Sequence, residues 1–83
     1  MHFYTYIIYS SKSDRYYIGS SSDPKSRLER HNAGVTKSTK PYRPWKIVYT
    51  EEFKSKTEAL KRENEIKRMK SRQYLEKLIG GSD

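Results

Sequence analysis

Cysteine is absent from this chain, and with it go any disulfide framework and any thiolate metal site. A metal used here has to be held by carboxylate, imidazole or hydroxyl groups, donors that select a hard cation such as Mg²⁺ or Mn²⁺. No apolar run approaches the ~20 residues that a membrane-spanning helix needs. The N-terminal Met1-His2-Phe3-Tyr4 lacks the basic n-region and the apolar h-region of a secretion signal. Together these absences predict a reducing, cytoplasmic setting and no membrane partner. Apolar residues are few as well, 33% against 34% charged. A core that thin supports a single domain, residues 1–83, because chains this short rarely divide into two. Negative charge is the last shortage: 10 Asp and Glu face 18 Lys and Arg, a formal net charge of +8. A surface so basic suits a polyanion, nucleic acid above all, although a soluble basic protein that grips nothing has the same composition.

Tyrosine is what the chain has in plenty. Eight tyrosines, two phenylalanines and one tryptophan offset the scarce aliphatics, since each aromatic ring buries ~150–250 Å². From Phe3 to Tyr9 every residue is aromatic or β-branched, the pattern of a strand covered on both faces and hence central in its sheet. Polar Ser10 to Asp14 makes a turn. Arg15-Tyr16-Tyr17-Ile18-Gly19 then reads as an antiparallel return strand, ended by Gly19 where the backbone bends or another group comes close. Asp23-Pro24 predicts a helix start that carries Arg27, Leu28 and His31 and stops near Asn32 or Gly34.

Residues 35–44 form a polar loop rich in cations, and Trp45 to Thr50 alternates as a half-buried third strand. Ser55-Lys56-Thr57-Glu58 is a capping box opening a helix to about Lys70. Ser71 caps a short last helix that Gly80-Gly81 ends. The order β-β-α-β-α-α predicts an α+β fold, a small three-stranded antiparallel sheet flanked by helices.

Several residues could carry chemistry. Ala59, Glu63 and Ile66 share one helix face, so Glu63 interrupts an apolar stripe. A carboxylate there must be ion-paired, hydrogen-bonded, reached by water or bound to a metal, because burying it alone is too costly. Arg27 and His31 leave the first helix on one side at i, i+4. The arginine fork suits a phosphate and histidine accepts a proton near neutral pH, although a solvated helix face has the same spacing. Tyr6 and Tyr17 lie on adjacent strands; most tyrosines in a chain like this serve packing, and one acts as a base only if its pKa of ~10 is brought down. Lys37, Lys40, Arg43 and Lys46 surround Tyr42 and Trp45, and Lys61, Arg62 and Lys67 crowd the second long helix. Cations interleaved with aromatics suit phosphate tracking with occasional base stacking.

In this order the residues resemble the GIY-YIG nuclease superfamily, in particular its small stand-alone bacterial members related to the N-terminal nuclease domain of the excision-repair UvrC protein. The resemblance runs from Tyr4 to about Ile79. It rests on Tyr17-Ile18-Gly19, on Arg27-Leu28 followed by His31-Asn32, on Arg43 to Tyr49, and on Glu58-Ala59-Leu60-Lys61-Arg62-Glu63. The first half-motif, Tyr4-Thr5-Tyr6, keeps only its last tyrosine. Some members add a late asparagine near the site, a role not carried over to the nearest candidate, Asn64, because it lies ~100° round the helix from Glu63.

The resemblance implies hydrolysis of a nucleic-acid phosphodiester with one Mg²⁺ or Mn²⁺, leaving 5′-phosphate and 3′-hydroxyl ends, with DNA favoured over RNA and a role in DNA repair or processing. It implies Glu63 as the metal ligand, Tyr6 as general base with His31 assisting, Tyr17 as the residue holding water or phosphate in line, and Arg27 as the phosphate's cation. A monomer or weak dimer is expected. The competing readings are a non-catalytic DNA- or RNA-binding module on the same fold, and a basic domain that meets an acidic protein partner.

Overall fold

The computed structural model describes residues 2–80. Strand β1 (Phe3–Ser10) turns back into β2 (Arg15–Ser21), followed by helix α1 (Pro24–Asn32), strand β3 (Lys46–Phe53), and helices α2 (Lys56–Met69) and α3 (Arg72–Ile79). The element order is the predicted one, and the sheet runs β2-β1-β3 with both pairings antiparallel. The aromatic and β-branched run therefore occupies the centre. Thr5, Tyr6, Ile7 and Ile8 are all buried, the first and third on one face and the other two on the opposite one.

On one face Tyr6, Ile8 and Trp45 form a cluster joined by Tyr17, Leu28, Tyr42 and Ile47, with α1 above it. On the other face Thr5 donates a hydrogen bond to the Ala59 carbonyl of α2 at 2.7 Å, and α2 buries Ala59 and Ile66 against the sheet. Each helix start is built as the sequence indicates. Asp23 accepts from the Ser26 amide, Ser55 from that of Glu58 and Ser71 from that of Tyr74, and each such cap is worth ~1 kcal/mol. Lys70 ends α2 in the left-handed region at φ 47°. Gly80 caps α3, while Gly81 lies outside the described residues.

Two expectations are corrected. The strand does not end at Gly19 but continues to Ser21, in register with Tyr4. Gly19 is instead the point of close approach: a Cβ placed there would lie 2.6 Å from Tyr6 Oη and 2.7 Å from its Cζ. Likewise β3 runs on to Phe53, past Thr50, and its register against β1 shifts between Ile7 and Ile8, where Ile7 faces Tyr49 and Ile8 faces Ile47. The 35–44 loop also contains a short 3₁₀ turn, Lys40–Tyr42. Asn32 fastens that loop to α1, because its side-chain amide donates to the Trp45 carbonyl and accepts from the Trp45 amide.

Candidate active site

Tyr6 sits opposite Gly19 and Tyr17 opposite Ile8, so both tyrosines point to the α1 face, one diagonal step apart. His31 of α1 comes down on the pair. Its ring centroid is 5.0 Å from that of Tyr17 and 6.4 Å from that of Tyr6. Thr39 in the loop fixes its tautomer. The Thr39 hydroxyl donates to the Thr36 carbonyl at 3.3 Å, so it accepts from His31 Nδ1 at 2.9 Å. That leaves Nε2 of a neutral imidazole as an acceptor, and Tyr6 Oη donates to it at 3.3 Å.

Electrostatics agree with that direction. Burial holds the His31 pKa below the ordinary histidine value, and the charges of Arg27 and Arg30 push it the same way. Burial also raises Tyr6 to about 12; Tyr17 and Glu63 add to the rise and Arg27 opposes it. Tyr6 thus holds its proton at neutral pH, and His31 is kept neutral, a hydrogen-bond acceptor whose charged form burial and the two arginines disfavour. Tyr17 is only half-buried.

Glu63 lies across the sheet from this group. Its neighbour Ser20 pairs with Thr5 and so faces α2, on the side away from Tyr6. Ser20 donates to Glu63 Oε1 at 2.7 Å, and Lys67 Nζ contacts Oε2 at 2.6 Å. The Glu63 side chain is 14% exposed, a boundary carboxylate that is both ion-paired and hydrogen-bonded. β2 is an edge strand, with the Tyr6 hydroxyl over Gly19 on one of its faces and Glu63 bonded to Ser20 on the other. Exposed Arg27 lines a cleft of about 260 Å³ with Ser20, Ser21, Lys56 and Ala59. It also lines a second cleft with Ser22, Ser26 and Arg30. The charges of both Arg27 and Glu63 are felt at Tyr6.

The GIY-YIG catalytic domain matches residues 2–77. The chain belongs to the GIY-YIG family. Among its relatives is a UPF0213 protein of Staphylococcus haemolyticus, 42% identical over 73 residues that span 87% of this chain and 88% of that one. Another, from Staphylococcus saprophyticus, is 47% identical over 77 residues, 92% of each chain. The solution NMR structure of a UPF0213 protein from Bacillus halodurans is similar in fold, with a TM-score of 0.59 and 34% identity, covering 96% of this chain and 84% of that one. The family is a nuclease-type one, and its matched span holds both tyrosine segments, Arg27, His31 and Glu63.

The cations named from the sequence divide into two groups on this GIY-YIG fold. Two of those on α2, Arg62 and Lys67, are ion-paired with the chain's own acids. Arg62 bonds Glu51 and Glu65 and also Tyr74, so its charge ties α2 to β3 and α3. Lys67 is held by Glu63, and Lys61 lines a cleft among Glu51, Glu58 and Glu65. The loop group differs: among the described residues no ion pair engages Lys37, Lys40, Arg43 or Lys46. Sequence reasoning gave no role to Ser20, Thr39 or Asn32. Ser20 stood beside the second half-motif and could have been found there, whereas Thr39 carries no signal among the loop's other hydroxyls.

Proposed function

We propose that this chain is a metal-dependent endonuclease, cytoplasmic, acting on nucleic acid and on DNA in preference to RNA, with a part in DNA repair or processing. The observation that carries the reading is the directed hydrogen-bond chain Tyr6–His31–Thr39, whose tyrosine hydroxyl lies over Gly19 of the edge strand and feels the charges of both Arg27 and Glu63. Any buried tyrosine needs an acceptor for its hydroxyl, and here that acceptor is a titratable imidazole held in one tautomer, which a proton relay requires.

The donor set fits a hard cation. Glu63 offers a mostly shielded carboxylate braced by Ser20, and among the described residues no three His, Cys, Asp or Glu side chains converge. One carboxylate suits an ion that keeps most of its waters and gains further ligands from the substrate phosphate. Bound Mg²⁺ or Mn²⁺ supplies Lewis-acid stabilisation of the phosphate and of the leaving 3′-oxygen. The chain's own residues do the rest. Arg27, exposed between two clefts, donates to the non-bridging oxygens and stabilises the charge that builds on them. Tyr17 positions the attacking water. Tyr6 accepts that water's proton while passing its own to His31 Nε2, so no free phenolate forms and a pKa near 12 is no obstacle. Lys67, whose side chain is half-exposed, gives up Glu63 to the cation and turns to solvent.

A panel of branched, nicked, single-stranded and RNA substrates with Mg²⁺ or Mn²⁺ tests the proposal. The parent should cut at least one of them, whereas Glu63→Gln and Arg27→Ala should bind it but lose cleavage by a factor of ~10² or more. Equal cleavage by Glu63→Gln would sink the metal assignment. The Glu63–Lys67 pair specifically favours one other reading, a nucleic-acid-binding module in which that glutamate is an ordinary i, i+4 helix partner. In that case the parent binds the panel and cuts nothing.

A further inference from the structure

Two of the loop cations that stay outside ion pairs, Lys40 and Arg43, meet Lys12 of the β1–β2 turn around a cleft of about 320 Å³. Its wall is Lys12, Asn32, Lys40, Pro41, Arg43 and Pro44, three cations and no carboxylate. We propose that this cleft is a second phosphate site, which takes a backbone phosphodiester of the bound strand at a fixed offset from the bond that is cut. The proposal rests on the nucleic-acid reading above and deepens it.

Charge is the first argument. Arg62, Lys67 and Arg72 are matched by carboxylates, whereas Lys12, Lys40 and Arg43 take part in no ion pair among the described residues. Three cations without a carboxylate therefore converge on one cleft, and converging cations of one sign attract a phosphate. Preorganisation is the second. Arg43 Nε donates to the Lys40 carbonyl at 2.9 Å, and Nη1 reaches the Asn32 carbonyl at 3.5 Å. Both acceptors are neutral, so the guanidinium is fixed without losing its charge. A guanidinium has five N–H donors, and those not engaged by these carbonyls remain for a ligand. Gly34 makes room for the arrangement: at φ 81°, it would bring a Cβ within 3.0 Å of Arg43 Nη1.

Linkage to the candidate active site is the third argument. Asn32 is next in the chain to His31, lines the cleft, and clamps Trp45 through two hydrogen bonds. Thr39, one residue before Lys40, orients the His31 ring and accepts a hydrogen bond from the Trp45 indole at its carbonyl. The cleft and the Tyr6–His31 pair are thus joined by one continuous set of hydrogen bonds. A phosphate seated in the cleft sets how far along the strand the scissile bond lies from it.

The test is fluorescence anisotropy with single-stranded and duplex DNA of graded length, in EDTA so that cleavage cannot intervene, across a salt series. Lys12 is exposed in a turn and outside the catalytic group, which makes Lys12→Glu a suitable probe, with Lys12→Gln as a milder second variant. Lys12→Glu should weaken binding of the longer ligands about tenfold at low salt and flatten the logarithmic salt slope by about one unit, while binding of a trinucleotide changes little. Lys12→Gln should fall between it and the parent. If the parent binds DNA but neither variant differs from it, or if the trinucleotide loses as much as the long strands, the second site is refuted and the endonuclease reading stands. A parent that binds no nucleic acid, or is titrated more tightly by an oligoglutamate peptide, overturns both.

Discussion

Replacing Gly19 by alanine should cost much more than a strand glycine usually does. The new Cβ would stand 2.6 Å from Tyr6 Oη, 2.7 Å from Cζ and 3.2 Å from Cε2. Those atoms cannot swing aside: Tyr6 is 2% exposed, packed beside Ile8 and Trp45, and hydrogen-bonded to His31. Overpacking of this kind costs ~1–3 kcal/mol, and pulling Oη off His31 forfeits ~0.5–1.5 kcal/mol more. Losing the glycine's freedom in the unfolded chain returns ~0.4–1 kcal/mol. The net is about 2 kcal/mol of destabilisation, a fall in Tm of roughly 8–16 °C for a domain of this size. Urea denaturation of Gly19→Ala, Tyr6→Leu and the double variant measures it, since leucine removes the three atoms in the way. In the Tyr6→Leu background the alanine should cost under ~0.5 kcal/mol, a coupling well above the scatter of independent sites. A Gly19→Ala protein as stable as the parent, or an equal loss in both backgrounds, would refute the close-approach argument and with it the position assigned to the Tyr6 hydroxyl.

Two further predictions concern the relay. His31 has a folded pKa below its unfolded value of ~6.5, so the unfolded chain binds more protons. Its contribution to stability is therefore present above that pH and is lost as pH falls through the depressed folded value. Urea midpoints for the parent should drop over that window, and His31→Gln should show a smaller drop; identical slopes would count against a neutral buried imidazole. The same protonation removes the acceptor for Tyr6, so the acid limb of any cleavage profile should lie below ~6.5. Thr39→Val leaves His31 Nδ1–H without its acceptor in a buried place and should cost ~1–3 kcal/mol. Thr39→Ser, which keeps the hydroxyl, should recover most of that loss in the same denaturation assay.

The strands and helix starts were legible because their signals are local. An unbroken aromatic and β-branched run from Phe3 to Tyr9 has one good solution, a central strand, and Asp23-Pro24 and Ser55 to Glu58 satisfy helix amides within three residues of themselves. The site was legible as a set of residues and not as a shape. Chain order and helical spacing brought Arg27 beside His31, but nothing in the spacing of Glu63 says that it approaches from the other side of the sheet. That depends on β2 being an edge strand and on Ser20 facing α2, both consequences of a register set over the whole hairpin. Arg62 and Lys37 are equally basic in the sequence. Only the meeting of Arg62 with Glu51, eleven residues away across two elements, distinguishes an internal tie from an available cation. Gly19 was read as a place to bend or to be approached, and the second alternative holds because Tyr6 stands directly opposite it.

That the two halves of the candidate site belong to opposite layers has a dynamic consequence. A site on one loop can survive while distant parts of a protein open and close. Here Tyr6 and His31 need α1 docked, while Glu63 needs α2 docked, and Ser20 registers only while β2 stays paired with β1. Any opening that releases either helix or frays the edge strand dismantles the whole group at once. Competence for chemistry is thereby limited by whichever of these three contacts opens at the lowest free energy, so the site is only as protected against hydrogen exchange as the weakest of them.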